Sequence, residues 1–431
     1  MRYVGESPSG KAPPSGGGTR RFDPFLPSQI DRYRLFMKFH QNRNTYIVAL
    51  IALVNMIGYG IIIPILYSYS KKYGLSDFEN GLLFAVFSVC QFFSTPIIGR
   101  LSDKYGRRPM LLVSIMGTAV SFFMMAFAPN ALFLFLSRAL DGLTAGNIPV
   151  AFAVISDSTK PEDRARAFGL IGSALNFGFV FGPAIAAFTI GFGPALPFII
   201  AGIITTIAAI LLALFLPETN QHMGEVKTGK LFDFKGMWHI LFDPNIGRVF
   251  VLSLVFFLAF ACSIIYGFQP YAINVLKITQ TENAILFTIF GAVGLFAQNV
   301  VVHRVAKKFG NKVAFSNSVL LIALAFLAMF LGQNVMVFVT AIIVLAFANS
   351  IVQTLIPTVL SQIADAKSQG SIMGLNASYQ SIGMIFGPLL GGLAATLSIP
   401  FTFLVGSGLI LVCYLISFKI FKPVHKKESA F

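Results

Sequence analysis

Asp141 is the only one of seventeen acidic residues to fall near the middle of a long apolar run, and Arg138 is the only basic residue to do so. Three positions apart on a helix, they share a face. A charge at that depth costs a few kcal/mol on insertion scales, so such residues normally face a cavity and mark an ion or proton route. The pair suits proton transfer. A carboxylate takes and releases the proton, while burial and the neighbouring guanidinium pull its proton affinity in opposite directions. A permanent ion pair that only orders a helix bundle is the other reading of these residues.

A second set is polar but uncharged. Asn55 and Tyr59 are four apart, Asn147 follows Asp141, Asn176 stands alone, and Tyr266 and Gln269 are three apart. Gln298 lies in the next run, Asn349 and Gln353 are four apart, and Asn376, Tyr379 and Gln380 share a helical face. Amides in lipid must face partner helices or water. Each alone reads as an interhelical hydrogen bond; together they fit a central cavity. An aromatic and amide lining with few charges suits an amphipathic or uncharged organic molecule. No carboxylate lies within the apolar runs of the C-terminal half.

The stretch "GRLSDKYGRRP" (99–109) packs five charges into eleven positions, in a chain only 11% charged. It separates two apolar runs. Asp103 is expected near a helix start, where the dipole favours an anion. Arg107 and Arg108 are expected to pair with it or with a neighbouring carboxylate such as Asp157. A static basic anchor is the alternative.

The elements that must position these residues are apolar helices. The chain has 431 residues, 56% of them hydrophobic, and is apolar almost end to end after residue 45, which indicates a polytopic helical membrane protein. Twelve runs of about the ~20 residues needed to cross a bilayer are expected near 45–68, 81–100, 109–128, 131–156, 166–190, 194–216, 248–271, 283–302, 312–331, 335–360, 370–396 and 400–421. The domain reading is a tail (1–44), a six-helix bundle (45–216), a linker (217–247), a second bundle (248–421) and a C-terminal tail (422–431). Residues 1–21 are too rich in Gly, Pro and Ser to order themselves. No apolar run follows at once, so a cleavable secretory signal is not expected. Residues 28–43 read as a basic amphipathic helix on a membrane surface, and "LFDFKGMWHILFDP" in the linker looks interfacial.

The net charge of +15 does not point to nucleic acid. Of the 32 Lys and Arg residues, 28 fall in the tails and the even-numbered connections, against Lys71, Lys72 and Lys277 on the other side. That asymmetry places both termini in the cytoplasm. Cys90, Cys262 and Cys413 all lie in apolar runs and read as small buried hydrophobes. No metal cluster, nucleotide loop or nucleophile–base set is present, so no metal, cofactor or enzymatic activity is expected.

The halves repeat. "GLIGSALNFGFVFGPAIAA" (169–187) aligns with "GLNASYQSIGMIFGPLLGG" (374–392), matching Gly178 with Gly383, Gly182 with Gly387 and Pro183 with Pro388. "GRLSDKYGRR" meets "HRVAKKFGNK", keeping Gly106 and Gly310 but replacing Asp103 with Lys307. Repeated halves with a site between them are the architecture of many secondary transporters.

Residues 99–108 resemble the signature between the second and third helices of the major facilitator superfamily. Gly99, Asp103, Gly106, Arg107 and Arg108 carry the match. "FLSRALDGLTAGN" (135–147) is similar to the fourth-helix motif of its drug:proton antiporters. "GFVFGPAIAA" (178–187) is similar to their fifth-helix Gly-Pro motif, with Gly178, Gly182 and Pro183 in place and Ala186-Ala187 where Gly-Gly is usual. "NMIGYGIIIPIL" (55–66) is similar to the first helix of the tetracycline-efflux branch.

The resemblance covers residues 45–421. It implies an all-α membrane protein of twelve transmembrane helices in two pseudo-symmetric six-helix bundles. It also implies that the 99–108 charges form a gate whose pairs break when the cytoplasmic side opens, and that the Gly-Pro segment is linked to exchange. One departure stands out: the helix-one position that is usually Asp in that branch is Asn55, which cannot titrate. Proton coupling then rests on Asp141 or is absent.

The function expected is proton-coupled efflux of a small organic molecule by alternating access. The alternatives are an uncoupled uptake carrier or facilitator for a sugar-like metabolite and, more remotely, a non-transporting receptor. The expected partners are the organic substrate, protons and membrane lipid, with the protein a monomer in the cell membrane.

Overall fold

The computed structural model describes residues 29–220, 224, 234–243, 246–363 and 369–420. The readings of the 1–21 and 422–431 tails lie outside these residues. Residues 29–42 are helical and belong to a unit of their own; Arg43–Phe431 is the other.

Among the described residues there is no strand, and 11 helices are long and apolar enough to cross a membrane. One of them, Gln280–Gly332, has 53 residues. At 1.5 Å per residue that is about 80 Å, far beyond a ~30 Å hydrocarbon core. It breaks at Gly310, where φ 77° and ψ 154° leave the helical region. Its two arms bring the spans to twelve, in the two pseudo-symmetric six-helix bundles that the sequence implied. They are α1 (Arg43–Ile62), α2 (Asp77–Tyr105), α3 (Arg107–Ala126), α4 (Ala131–Ser158), α5 (Arg166–Phe192), α6 (Leu196–Phe215), α7 (Ile246–Val275), α8 (280–309), α9 (311–332), α10 (Val335–Ile363), α11 (Ile372–Leu397) and α12 (Phe401–Phe418).

The first two spans differ from expectation. The first span stops at Ile62 instead of running to 68: Pro64 has no N–H to bond back to Gly60, so the chain turns and restarts as a short helix, Leu66–Lys71. The second span is longer at both ends. Ser76 and Glu79 form a capping box that starts it, and it continues through Asp103 to Tyr105. The 99–109 stretch is therefore not a loop. It is two helices joined at Gly106, whose φ of 104° is a left-handed value that glycine tolerates.

The repeat is visible in this local chemistry. Thr279 and Glu282 form the matching capping box at the start of α8, and Gly310 has nearly the backbone conformation of Gly106. The paired glycines do one job in each half. A Cβ on Gly182 would stand 2.6 Å from the Ile57 carbonyl oxygen and 2.7 Å from Gly60 Cα, so α5 lies directly on the α1 backbone. A Cβ on Gly387 would stand 2.8 Å from the Leu258 oxygen, so α11 lies on α7 in the same way. Small residues at such crossings let helix backbones approach where lipid supplies no hydrophobic drive.

The halves meet along α2 against α11 and α5 against α8. The tightest α2–α11 approach is in the first turns of α2, where a Cβ on Gly81 would collide with the Pro388 carbonyl oxygen and one on Gly392 would be 2.9 Å from the Asp77 oxygen. Gly182→Val should push α1 from α5 and cost about 1–3 kcal/mol, the usual range for overpacking. Thermal melting of the detergent-solubilised protein measures this, and Gly172→Val, a site with no neighbouring atoms within 4 Å, should melt near wild type.

Candidate functional site

The centre of the N-terminal half is a break in α4. Its first segment ends at Thr144 and its second begins at Asn147. Pro149 cannot donate to the Ala145 carbonyl, which frees that oxygen. The Ala145 and Gly146 N–H groups make turn bonds to Gly142 O and Thr144 O, and three hydroxyls from neighbouring helices also bond the carbonyls at the break. Thr95 of α2 donates to Ala145 O at 3.0 Å, Ser94 of α2 donates to Gly142 O at 2.7 Å, and Ser114 of α3 donates to Thr144 O.

Asp141 sits one turn before this break. It is 8% exposed, and Arg138 is 1% exposed. Arg138 donates through one terminal nitrogen to the Asp141 carboxylate at 3.1 Å. Thr118 of α3 donates to the other carboxylate oxygen at 3.0 Å. The guanidinium carbon stands 4.2 Å from the centroid of the Phe87 ring of α2, a cation–π contact. The Tyr59 ring lies 6.4 Å from the same Phe87. The Arg138 Nε is buried without a hydrogen-bond partner. The carboxylate is thus met by one charge and one hydroxyl, both from within the bundle.

Phe87 and Thr118 are partners that the sequence reading missed. Thr118 carries a signal: Ser114, Thr118 and Ser121 form a hydroxyl stripe at helical spacing on an otherwise apolar α3. Phe87 carries none among 46 phenylalanines.

The uncharged set divides. Asn147 donates its amide to Asn55 at 2.9 Å, joining α4 to α1 just past the break. Asn176 and Gln380 are half-buried, Gln353 and Gln298 are exposed, and Asn349 is half-buried with a carbonyl oxygen that lacks a partner. Three residues serve elsewhere than an open cavity. Tyr266 and Gln269 are each 1% exposed and sit in the joint between the halves. Tyr379 is buried against Phe250, with its hydroxyl donated to Met237 O at 2.6 Å, and so ties α11 to the linker.

That joint is a polar interlock at the ends of α1, α2, α7 and α8. Gln269 accepts from the Tyr67 backbone N–H and donates to Ser68 Oγ, each at 3.0 Å. Tyr266 donates to Asp77 O at 2.8 Å, Asn274 donates to the Tyr67 hydroxyl at 3.0 Å, and Asn283 donates to Pro64 O at 2.9 Å. The Asp77 carboxylate receives the Tyr67 hydroxyl at 2.7 Å and Lys71 at 2.8 Å. Burial, and then the Asp77 hydrogen bond, push the Tyr67 phenol up, so it stays a donor. This side carries Lys71, Lys72 and Lys277, the few basic residues opposite the basic face.

At the other end, Arg107 bridges two carboxylates: Asp103 at 2.6 Å and Asp157 of α4 at 2.9 Å. Arg108 pairs with neither among the described contacts; its guanidinium donates to Ala213 O near the end of α6 at 2.5 Å. Asp103 lies in the last turn of α2, where the helix dipole disfavours an anion, and Arg107 offsets that. The carboxylate at a helix start is instead Glu218, which follows α6. It accepts the backbone N–H groups of Arg107 at 2.9 Å and Arg108 at 3.1 Å, and those of Thr219 and Asn220. A Cβ on Gly106 would collide with it. All of these residues lie in the N-terminal half or at the start of the linker that follows α6, so in this arrangement the cluster binds α2, α3, α4 and the end of α6 to one another. Gly99 has open space beside it.

The Major Facilitator Superfamily model matches residues 48–388 and, in a second match, 251–431. The chain is 29% identical over 376 residues to multidrug resistance protein 2 of Bacillus subtilis, covering 83% of this chain and 92% of that protein. It is 30% identical over 361 residues to the class H tetracycline resistance protein of Pasteurella multocida, covering 81% and 88%. Among solved structures, the human organic anion transporter MFSD10 superposes with a TM-score of 0.66 at 21% identity, covering 88% of this chain and 99% of that one.

Removing the Glu218 cap should cost about 1 kcal/mol, as other N-cap losses do. Because it holds backbone groups, Glu218→Ala should destabilise wild type and Arg107→Ala equally, within roughly 0.5 kcal/mol. Arg107→Ala and Asp157→Ala should instead be strongly non-additive. Double-mutant cycles on melting temperature separate the two behaviours.

Proposed function

The chain belongs to the Major Facilitator Superfamily and is a multi-pass membrane transporter, and from that premise we propose that it exports a small amphipathic or uncharged organic molecule in exchange for protons. The observation that carries this is the Asp141–Arg138 pair. It is the one titratable pair buried near the middle of the described spans, it sits beside a broken helix, and it is satisfied by groups that can let it go. Relatives named for multidrug and tetracycline resistance support the efflux direction. The charge asymmetry supports a cell-membrane orientation with both termini cytoplasmic, which makes the Tyr67–Asp77 interlock the outer closure. The expected working unit is a monomer.

In this mechanism Asp141 carries the proton. When it is charged, Arg138 and Thr118 both hold it. When it is protonated, the attraction to Arg138 falls and the guanidinium is left with Phe87. The α4 break lies one turn away, so the two protonation states favour different packings of α4 against α2 and α3. Proton binding from outside and release inside then drive the halves between outward and inward openings. Asn55 and Asn147 orient the chain and substrate at this level but do not titrate.

That amide pair favours a second reading, an uncoupled facilitator in which Arg138–Asp141 is structural. The deciding measurement is proton flux in proteoliposomes with an imposed pH gradient, on addition of lipophilic cations, tetracycline-like compounds or sugars. The coupled reading expects substrate-driven proton movement in wild type. In Asp141→Asn that movement should be lost, while substrate exchange at equal pH persists. Substrate movement without protons, unchanged in Asp141→Asn, would overturn it in favour of the facilitator.

A further inference from the structure

The connection between the halves contains a short helix, Phe234–Ile240, with two apolar faces. One packs inward: Met237 is buried in the core, and Ile240 and Leu241 lie against it. Its backbone is clamped twice. Tyr379 of α11 donates to Met237 O, and Gly247 at the start of α7 leaves room for the Ile240 and Leu241 carbonyls. Asp243 then caps α7 by accepting the Ile246 N–H at 2.9 Å.

The other face points away from the protein. Trp238 is 63% exposed and Phe242 72% exposed, and their rings meet edge-to-face with centroids 5.6 Å apart. Lys235 and His239 are exposed on the same face, at helical spacing. Trp238 is the only tryptophan in the chain.

We propose that this face docks on the membrane's own phospholipid, with Trp238 and Phe242 at the boundary of headgroup and acyl chain and Lys235 at the phosphate. Three observations commit it to lipid. Phe242 precedes the first residue of a membrane span by four positions, at most ~14 Å of chain, which keeps it within reach of the interfacial zone. The face combines a tryptophan, an aromatic partner and a lysine, the residue types that anchor helices at that depth. The helix is fixed by its opposite face, so the aromatic pair cannot fold back into the core. Through Tyr379 and Gly247 the contact would grip the paired ends of α7 and α11. None of this depends on proton coupling.

The single tryptophan makes the test direct. Wild-type protein in phosphatidylcholine liposomes is read by intrinsic fluorescence, with bromine placed near the glycerol end or near the methyl end of the acyl chains, and with aqueous iodide. Docking at a depth of ~5–10 Å expects blue-shifted emission, stronger quenching by the shallow bromines than by the deep ones, and little quenching by iodide. Lys235→Glu should weaken the shallow quenching without lowering the melting temperature in detergent. Emission of the fully hydrated kind, quenched by iodide and blind to bromine, would overturn the proposal. Protection from both quenchers would also overturn it, because a protein surface would then cover the face.

Discussion

Inside hydrocarbon, a carbonyl oxygen that loses its helical N–H has no water to turn to. The α4 chain meets this problem at Pro149, three residues after a glycine, where the ladder fails over Gly142–Ala145. Tighter turn bonds from Ala145 and Gly146 N–H recover Gly142 O and Thr144 O, and Ser94, Thr95 and Ser114 of α2 and α3 donate to Gly142, Ala145 and Thr144 as well. The consequence reaches beyond local repair. Ala145 O depends on Thr95 of α2, and with the other two hydroxyls this fixes α2, α3 and α4 in register by hydrogen bonds to backbone. Asp141, one turn before the break, inherits that register. Its carboxylate falls between Thr118 and Arg138 because the helices carrying them are already locked in place. Breaks of this kind, lined by side chains of neighbouring helices, are where transporters hold ions and substrates.

The internal repeat shows which parts are architecture and which are specialised. Gly182 and Gly387, the two capping boxes, and Gly106 with Gly310 appear in both halves and do the same work in each. They set helix crossings, helix starts and the tight joints between spans. Among the described residues, the buried charge pair and the Arg107 cluster occur in the N-terminal half alone. Where Asp103 stands in one half, Lys307 stands in the other. One half thus carries the charge chemistry on a scaffold that both halves share. The structural likeness to other members of the fold, at 21% identity, rests on that scaffold and says nothing of cargo.

How much of this could be read from the sequence follows from the range of the forces involved. Twelve spans were legible because hydrophobic length is a local property. Asp141 and Arg138 were legible because a charge inside an apolar run is conspicuous. The repeat was legible from its glycines. Glu218 was not: its role comes from standing beside the start of α3, more than a hundred residues earlier in the chain, and the "LPETN" in which it sits reads as an ordinary span ending. From sequence Asp103 reads as a helix-start residue, because a stretch so rich in charge has the composition of a loop. A single glycine at φ 104° replaces that loop, and the dipole argument passes from Asp103 to Glu218. Tyr266 and Gln269 looked like cavity residues by spacing alone. Their bonds to Tyr67, Ser68 and Asp77 cross about two hundred positions, and no helical periodicity reports on that.

One helix links the interlock, the buried charge pair, the break in α4 and the Arg107 cluster. At its N-terminal end α2 presents Asp77 to the interlock and Gly81 to α11. Near its middle, Phe87 lies under Arg138. A turn or two further on, Ser94 and Thr95 cap the break in α4. At its C-terminal end Asp103 binds Arg107. At 1.5 Å per residue its 29 residues span about 43 Å, with Pro96 as the one interior residue that cannot complete the ladder. On the proposed coupling, a change in charge at Asp141 alters what Arg138 asks of Phe87, and so acts on α2 between its two anchored ends. A rod held at the interlock and at the Arg107 ion pairs cannot tilt without working on both. That gives a proton site within one bundle a mechanical route to the contact between bundles, and it needs no titratable group in the C-terminal half.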